Sequence, residues 1–322
     1  MSGLKIAITG SSGMVGSHLV DFFEKKGISL SRLARYPEGQ PLPSAGAAPR
    51  RPTVLSRNER IIFWDPEKGI IEKEKLEGHE ALIHLAGATI ASHRWSLAYK
   101  RLILESRVKS TEFLCHALAR LKHPPQVVLS ASAVGYYGNR PATETLDESS
   151  GKGDGFLAEV CDQWEKATAA ATASGIRVIR MRFGMILSRS GGALAKMVPI
   201  FQWGLGGPLG SGRQEMSWIA LDEIPHVILH LINHKDISGP VNVVSPGSVS
   251  NRAFTKLLGQ TLKRPAVFPV PAFAVRLMFG QMGEELLLSG AKVRPGVLER
   301  THYRFLYPDL KSTLEFYCQR SP

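Results

Sequence analysis

Leu4-Lys5-Ile6-Ala7-Ile8-Thr9-Gly10-Ser11-Ser12-Gly13-Met14-Val15-Gly16 is the stretch that decides the fold. The apolar run Leu4 to Ile8 reads as a strand and the amphipathic stretch His18 to Lys25 as a helix, so the glycines join one to the other. In such a junction glycine gives the tight turn, removes the Cβ that would block backbone approach to a phosphate, and lets the helix pack against its strand. The unpaired N–H groups at the helix start then hold the anion. The order strand, glycine triplet, helix therefore predicts a dinucleotide pyrophosphate on Gly10, Ser12, Gly13, Met14, Val15 and Gly16. It predicts a cofactor and leaves the reaction open.

The next strand, Ile28 to Leu33, should end beside the adenosine ribose, where an NAD enzyme places a carboxylate. Ala34 and Arg35 stand there instead. A guanidinium can fork onto a 2′-phosphate, which a carboxylate would repel, so Arg35, with Arg32 near by, predicts NADP(H). Asp65, directly after the strand Arg60 to Trp64, is counted with the cofactor contacts. So are Leu85, Ala86 and Gly87, which end the strand Ala81 to Leu85 where a small residue lets the backbone approach the ribose.

Two further strands, Gln126 to Ser130 and Arg177 to Met181, alternate with helices at Ala98 to Leu121 and Phe156 to Ala173. Parallel strands need crossover helices, so the pattern is α/β: a Rossmann-type doubly wound parallel sheet. We read residues 1–180 as the cofactor domain, with some later segments returning to it, and 181–268 as a substrate-side region. Residues 269–322 form a short C-terminal module. Within 181–268 we expect a strand at Glu215 to Ile219, a helix at Asp222 to Asn233, a strand at Pro240 to Val244 and a helix at Asn251 to Leu262. Ala272 to Phe279 and Glu284 to Ser289 read as helical. Pro37 to Pro52, rich in Pro, Gly, Ala and Ser, reads as a loop.

Composition narrows the function classes. The chain of 322 residues carries a formal charge of +12, but apart from Arg50-Arg51 its basic residues are scattered, and no helix-turn-helix or zinc module stands out, so nucleic acid is not an expected partner. No apolar run reaches the roughly 18 residues of a membrane span, and no charged-then-apolar signal segment opens the sequence, so no membrane partner is expected either. Cys115, Cys161 and Cys318 are an odd number without metal spacing, which suits the reducing cytoplasm. His84, His93, His116 and His123 have no ligand spacing, and no metal is expected.

The chain resembles the atypical extended short-chain dehydrogenase/reductase proteins of the epimerase family, also described as NAD-dependent epimerase/dehydratase-like. The glycine spacing, three residues from Gly10 to Gly13 and three more to Gly16, is similar to theirs. So are His84-Leu85-Ala86-Gly87, Glu105-Ser106-Arg107, Ser130 through Gly138, Cys161 through Glu165, and Gly204 through Pro208 with Trp218-Ile219. The resemblance covers nearly the whole chain, including the C-terminal module. It implies that Arg107, Ser130, Cys161 and Trp164 belong to the cofactor site, and that Ser132 matches the serine that holds a substrate oxygen. It also implies a homodimer through the two long helices.

The same resemblance exposes a departure. Ordinary members of the superfamily transfer a proton from a Tyr whose pKa is lowered by a Lys four residues later. Here the matching positions are Leu157 and Cys161. Leucine cannot transfer a proton and a neutral thiol supplies no cation. Tyr136 or Tyr137, four or five residues after Ser132, offers an alternative phenol, and Cys161 reads either as a reactive thiol or as a small buried apolar residue. Two functions follow as expectations: an NADP(H)-dependent oxidoreductase or epimerase on a small substrate, and a non-catalytic NADP(H)-binding sensor or regulatory protein.

Overall fold

Alternation along the first strand sorts the core into two layers. In the computed structural model, which describes residues 3–35 and 60–319, β1 (Lys5–Thr9) sends Ile6 and Ile8 into one apolar cluster and Ala7 into another. The first cluster takes Leu19, Val20 and Phe23 from α1 (Met14–Lys25), and the second takes Leu114 and Leu118 from α2 (Leu97–Leu118). Helices thus cover both faces of one sheet. Pro37 to Pro52, Arg50-Arg51 included, lies outside the described residues.

The sheet continues through β2 (Ser29–Ala34), β3 (Arg60–Asp65), β4 (Ile70–Ile71), β5 (Ala81–His84), β6 (Val127–Ala133), β7 (Arg177–Phe183) and β8 (Gly239–Val243). Its spatial order is β8–β7–β6–β5–β1–β2–β3–β4, parallel throughout except that β4 runs back along β3. The chain winds outward from β1 to β3 and then crosses to β5 on the other side of β1. That reversal opens a crevice at the carboxyl ends of β1 and β5, the place where ligands bind in open α/β sheets. β8 lies beyond residue 181 in sequence and pairs with β7 in the same sheet.

Two expected elements are divided. The helix expected over Phe156 to Ala173 is two helices, α3 (Phe156–Lys166) and α4 (Ala169–Ala173). Between them the Thr168 hydroxyl bonds back to the Glu165 carbonyl at 2.7 Å, competing with the helical ladder. The strand expected over Glu215 to Ile219 is broken at Ser217, whose hydroxyl donates to the Ala291 carbonyl and accepts from the Val293 N–H. The expected helix at Glu284 to Ser289 is a wide π turn, Glu284–Leu288. A separate apolar cluster joins α5 (Gly192–Gln202), Trp218, α7 (Asn251–Leu262) and the helix Leu310–Gln319. Between them in sequence, α6 (Ile224–Asn233) packs on the same sheet face as α1.

Candidate functional site

The three glycines of the first turn do different work. Gly10 has φ +67°, and a Cβ there would stand 2.8 Å from the Leu85 carbonyl carbon; a Cβ at Gly16 would stand 2.1 Å from the Gly10 carbonyl oxygen. Packing alone requires both. Gly13 has an ordinary φ of −75°, and a Cβ there meets only the Gly10 carbonyl oxygen, at 3.4 Å. Nothing among the described residues demands glycine at 13, which is the cradle expected where a phosphate approaches the backbone. Gly13 also caps α1 without any side-chain hydrogen bond, and no acid stands in the first turn. The N–H groups of Met14, Val15 and Gly16 are left for an anion at the positive end of the helix. Met14 lies beside Gly191 and Gly192, which brings the segment that opens α5 onto the turn.

At the ribose end, Arg35 follows β2 directly and pairs with Glu67 at 3.2 Å, both side chains mostly exposed. An exposed pair of this kind is worth little, so a phosphate dianion can replace Glu67. Arg32 is half-buried in β2 and has a contact of its own. The Asp65 carboxylate accepts the N–H groups of Glu67 at 3.1 Å and Lys68 at 3.3 Å, so it shapes the turn after β3.

A buried relay fixes the switch point. Thr9 Oγ1 accepts the N–H groups of Leu85 and Ala86 and lies 2.8 Å from His84 Nδ1. His84 Nε2 and Trp164 Nε1 both reach Thr111 Oγ1, at 2.9 and 3.0 Å, and that hydroxyl donates to the Arg107 carbonyl. With its own proton committed there, Thr111 accepts from both rings. His84 is accordingly protonated on Nε2 and accepts the Thr9 proton at Nδ1. Burial pushes the His84 pKa down to about 4, so the ring is neutral near pH 7. The Arg107 guanidinium lies over the Trp164 ring and donates to the Ile103 and Ala88 carbonyls, and a Cβ on Gly87 would touch it at 3.3 Å. Leu85, Ala86, Gly87, Arg107 and Trp164 are therefore brought together as one wall of the crevice.

At the expected catalytic position the chain has built a buried ion network. Arg182, inside β7, donates from Nε and Nη2 to the two oxygens of Glu165 at 2.7 and 2.8 Å. Ser132 Oγ donates to the same carboxylate at 2.7 Å. Burial works against the Arg182 charge, but its hydrogen bonds and the nearby Glu165 and Tyr137 outweigh that and raise its pKa. The guanidinium lies 3.6 Å from the centre of the Tyr136 ring.

Two expectations, those for Tyr137 and Ser130, need correction here, and of the two readings of Cys161 the buried one fits the structure. Tyr137 is fully buried; its hydroxyl accepts from Arg182 Nη1 and lies 2.8 Å from Asn242 Oδ1 and 2.9 Å from the Asp147 carbonyl. Burial pushes its pKa up to about 12, and with no exposed surface and its hydroxyl committed to Arg182, Asn242 and Asp147 it is placed as a structural phenol. Cys161 is buried against the 134–137 turn, and burial, with Glu165 near by, pushes its thiol up to about 11; it is the small apolar residue and not a reactive thiolate. Ser130 is buried within β6 with a single long contact, 3.5 Å, to the Ala131 carbonyl, which leaves it no exposed oxygen for a cofactor. Tyr136 is half-buried, and among the described residues its hydroxyl has no hydrogen-bond partner.

Sequence reasoning missed Arg182, although an arginine inside a strand between Met181 and Phe183 calls for a buried counter-ion, and Glu165 on the next layer is that ion. It also missed Glu285. That carboxylate, from the C-terminal module, accepts the N–H groups of Phe156 at 3.1 Å and Leu157 at 2.8 Å and so caps α3, whose own N-cap is Gly155. No spacing rule links residues about 130 apart. Among the described residues no cluster of His, Cys, Asp and Glu could hold a metal.

Residues 6–244 match the family model described as the NAD dependent epimerase/dehydratase family, and residues 270–316 match a domain of unknown function, DUF1731. An epimerase family protein of Mycobacterium bovis is 37% identical over 320 residues, 99% of each chain. A chloroplastic epimerase family protein of Arabidopsis thaliana, the SDR39U1 homolog, is 33% identical over 99% of this chain and 88% of its own. Among solved structures, the human epimerase family protein SDR39U1 (isoform 2) with NADPH superposes with a TM-score of 0.83 at 26% identity, covering 99% of this chain and 100% of that one.

Proposed function

The chain belongs to the NAD dependent epimerase/dehydratase family, and we propose that it is an NADP(H)-dependent oxidoreductase or epimerase acting on a small substrate. The observation that carries the cofactor assignment is the first turn. Gly10 and Gly16 are fixed by packing, while a Cβ at Gly13 would make only one ordinary contact, with the Gly10 carbonyl oxygen, at a helix start with no side-chain cap. Arg35 at the end of β2 selects the 2′-phosphate, and the human SDR39U1 structure with NADPH supports that choice. When bound, the cofactor supplies the hydride. The protein's own part is to bind the pyrophosphate at Gly13 to Gly16, to hold the crevice wall through Thr9, His84 and Arg107, and to present the Tyr136 hydroxyl as the one phenol of its turn free to move a proton. The three cysteines are unpaired, which suits the cytoplasm.

A specific observation favours a second reading, a non-catalytic NADP(H) sensor: Leu157 and Cys161 replace the acid and its cation, and the Ser132 proton is committed to Glu165. Following NADPH absorbance over a panel of aldehydes, ketones and sugar nucleotides, for the native protein and Tyr136→Phe, separates the two. Slow turnover that falls a further 10²-fold or so in Tyr136→Phe supports the enzyme reading. Tight NADPH binding with no turnover supports the sensor, and absence of NADPH binding contradicts both.

A further inference from the structure

From residue 166 to 214, and again from 237 to 283, the chain contains no Asp or Glu. These two acid-free stretches meet in the fold. Arg264 Nε donates to the Gln202 carbonyl, the Phe268 N–H to the Gly206 carbonyl, and the Val270 N–H to the Pro208 carbonyl, with a parallel bridge between Leu209 and Val270. A Cβ on Gly207 would fall 1.7 Å from the Phe268 carbonyl oxygen, so the two strips are locked side by side.

This locked pair exposes large apolar side chains: Trp203 is 82% exposed, Val267 69%, Leu205 62% and Phe268 56%. α8 (Ala272–Phe279), which follows directly, exposes Phe273 and Leu277 four residues apart. A contiguous apolar patch of this kind marks an interaction surface. Beside it, a groove of about 340 Å³ is lined by Lys256, Lys263 and Arg264, none of which has an acidic partner among the described residues.

We infer that this face docks on an anionic phospholipid surface. Trp and Phe favour the boundary between headgroups and acyl chains, and each cation near an anionic leaflet adds to the attraction. A second copy of the chain is a poor occupant, because a two-fold contact would set the acid-free basic rim against itself. The inference concerns attachment without a span, for no helix among the described residues is long and apolar enough to cross a membrane. It departs from the expectation of no membrane partner, which rested on the lack of a spanning run and of a signal segment and did not consider surface attachment.

Co-sedimentation of the full chain with vesicles of phosphatidylcholine alone, or with 30% phosphatidylglycerol, tests it. The expected result is binding to the anionic vesicles only, weakened by salt. Lys263→Glu should lower partitioning about fivefold or more, and Trp203→Asp with Leu205→Asp should abolish it. NADPH-dependent thermal stabilisation reports that each variant is folded. No binding to anionic vesicles at low salt overturns the inference, as does binding that these variants leave unchanged. A native dimer that Trp203→Asp converts to monomer also overturns it, by showing that a second copy covers the patch.

Discussion

The crevice has two ends, and they have been treated differently. At the pyrophosphate end the groups leave room for a ligand: a helix start without a side-chain cap, a glycine where a Cβ would make only one ordinary contact, and an exposed arginine at the strand end held by a single exposed partner, Glu67. At the other end, where a Tyr and a Lys would stand in an ordinary reductase, the polar groups point at each other. Ser132, Glu165, Arg182, Tyr137 and Asn242 form a closed buried network. The difference teaches that cofactor geometry and proton-transfer geometry are separable within one fold.

The largest expected effect breaks the structural end. Arg182→Met leaves the Glu165 carboxylate buried without its cation, which should cost about 3–5 kcal/mol in urea unfolding. Adding Glu165→Gln should recover part of that loss, and full retention of stability in Arg182→Met would show that the network is not structural. The relay at the switch point gives the next effect. The folded His84 pKa of about 4 lies below the unfolded value near 6.5, so the unfolded chain binds the extra proton between those limits. This contribution is complete above pH 6.5 and falls away toward pH 4, by about 3 kcal/mol in all. Unfolding midpoints measured from pH 7.5 to 4.5 should therefore slope less in His84→Gln than in the native protein.

The ligand-facing end is sharpened by a pair of glycine substitutions. Gly13→Val should fold normally yet lose the ligand stabilisation that the native protein gains, about 2.7 kcal/mol at a hundredfold excess of NADPH over Kd. Gly16→Val should fail to fold well even without ligand, because its Cβ would overlap the Gly10 carbonyl. Equal thermal shifts with NADPH in native protein and Gly13→Val would remove the phosphate from this turn. The smallest effect belongs to the C-terminal module. Glu285→Ala uncaps α3 and should cost about 1 kcal/mol, read as a lowered melting temperature.

Local pattern made much of this legible. The strand–turn–helix at Leu4 to Lys25, the alternation of strands and helices, and the absence of a carboxylate at Arg35 all lie within a few residues of one another in sequence. What stayed hidden depends on contacts across the chain. Tyr136 and Tyr137 are neighbours with the same side chain, yet only Tyr137 is sealed by Arg182 and Asn242, 45 and 105 residues away. The break between α3 and α4 follows from one hydroxyl bonding back to a carbonyl, a competition that helix periodicity does not register.

The central claim, that the ligand-facing end is an NADP(H) cradle, meets its most direct test in calorimetric titration of the native protein and Arg35→Asp with NADPH and NADH. The charge-assisted contact of Arg35 with a 2′-phosphate, worth about 1.5–3 kcal/mol, should make NADPH bind roughly 10- to 150-fold tighter than NADH, with the preference lost or reversed in Arg35→Asp. Equal affinities for the two cofactors in the native protein would contradict it.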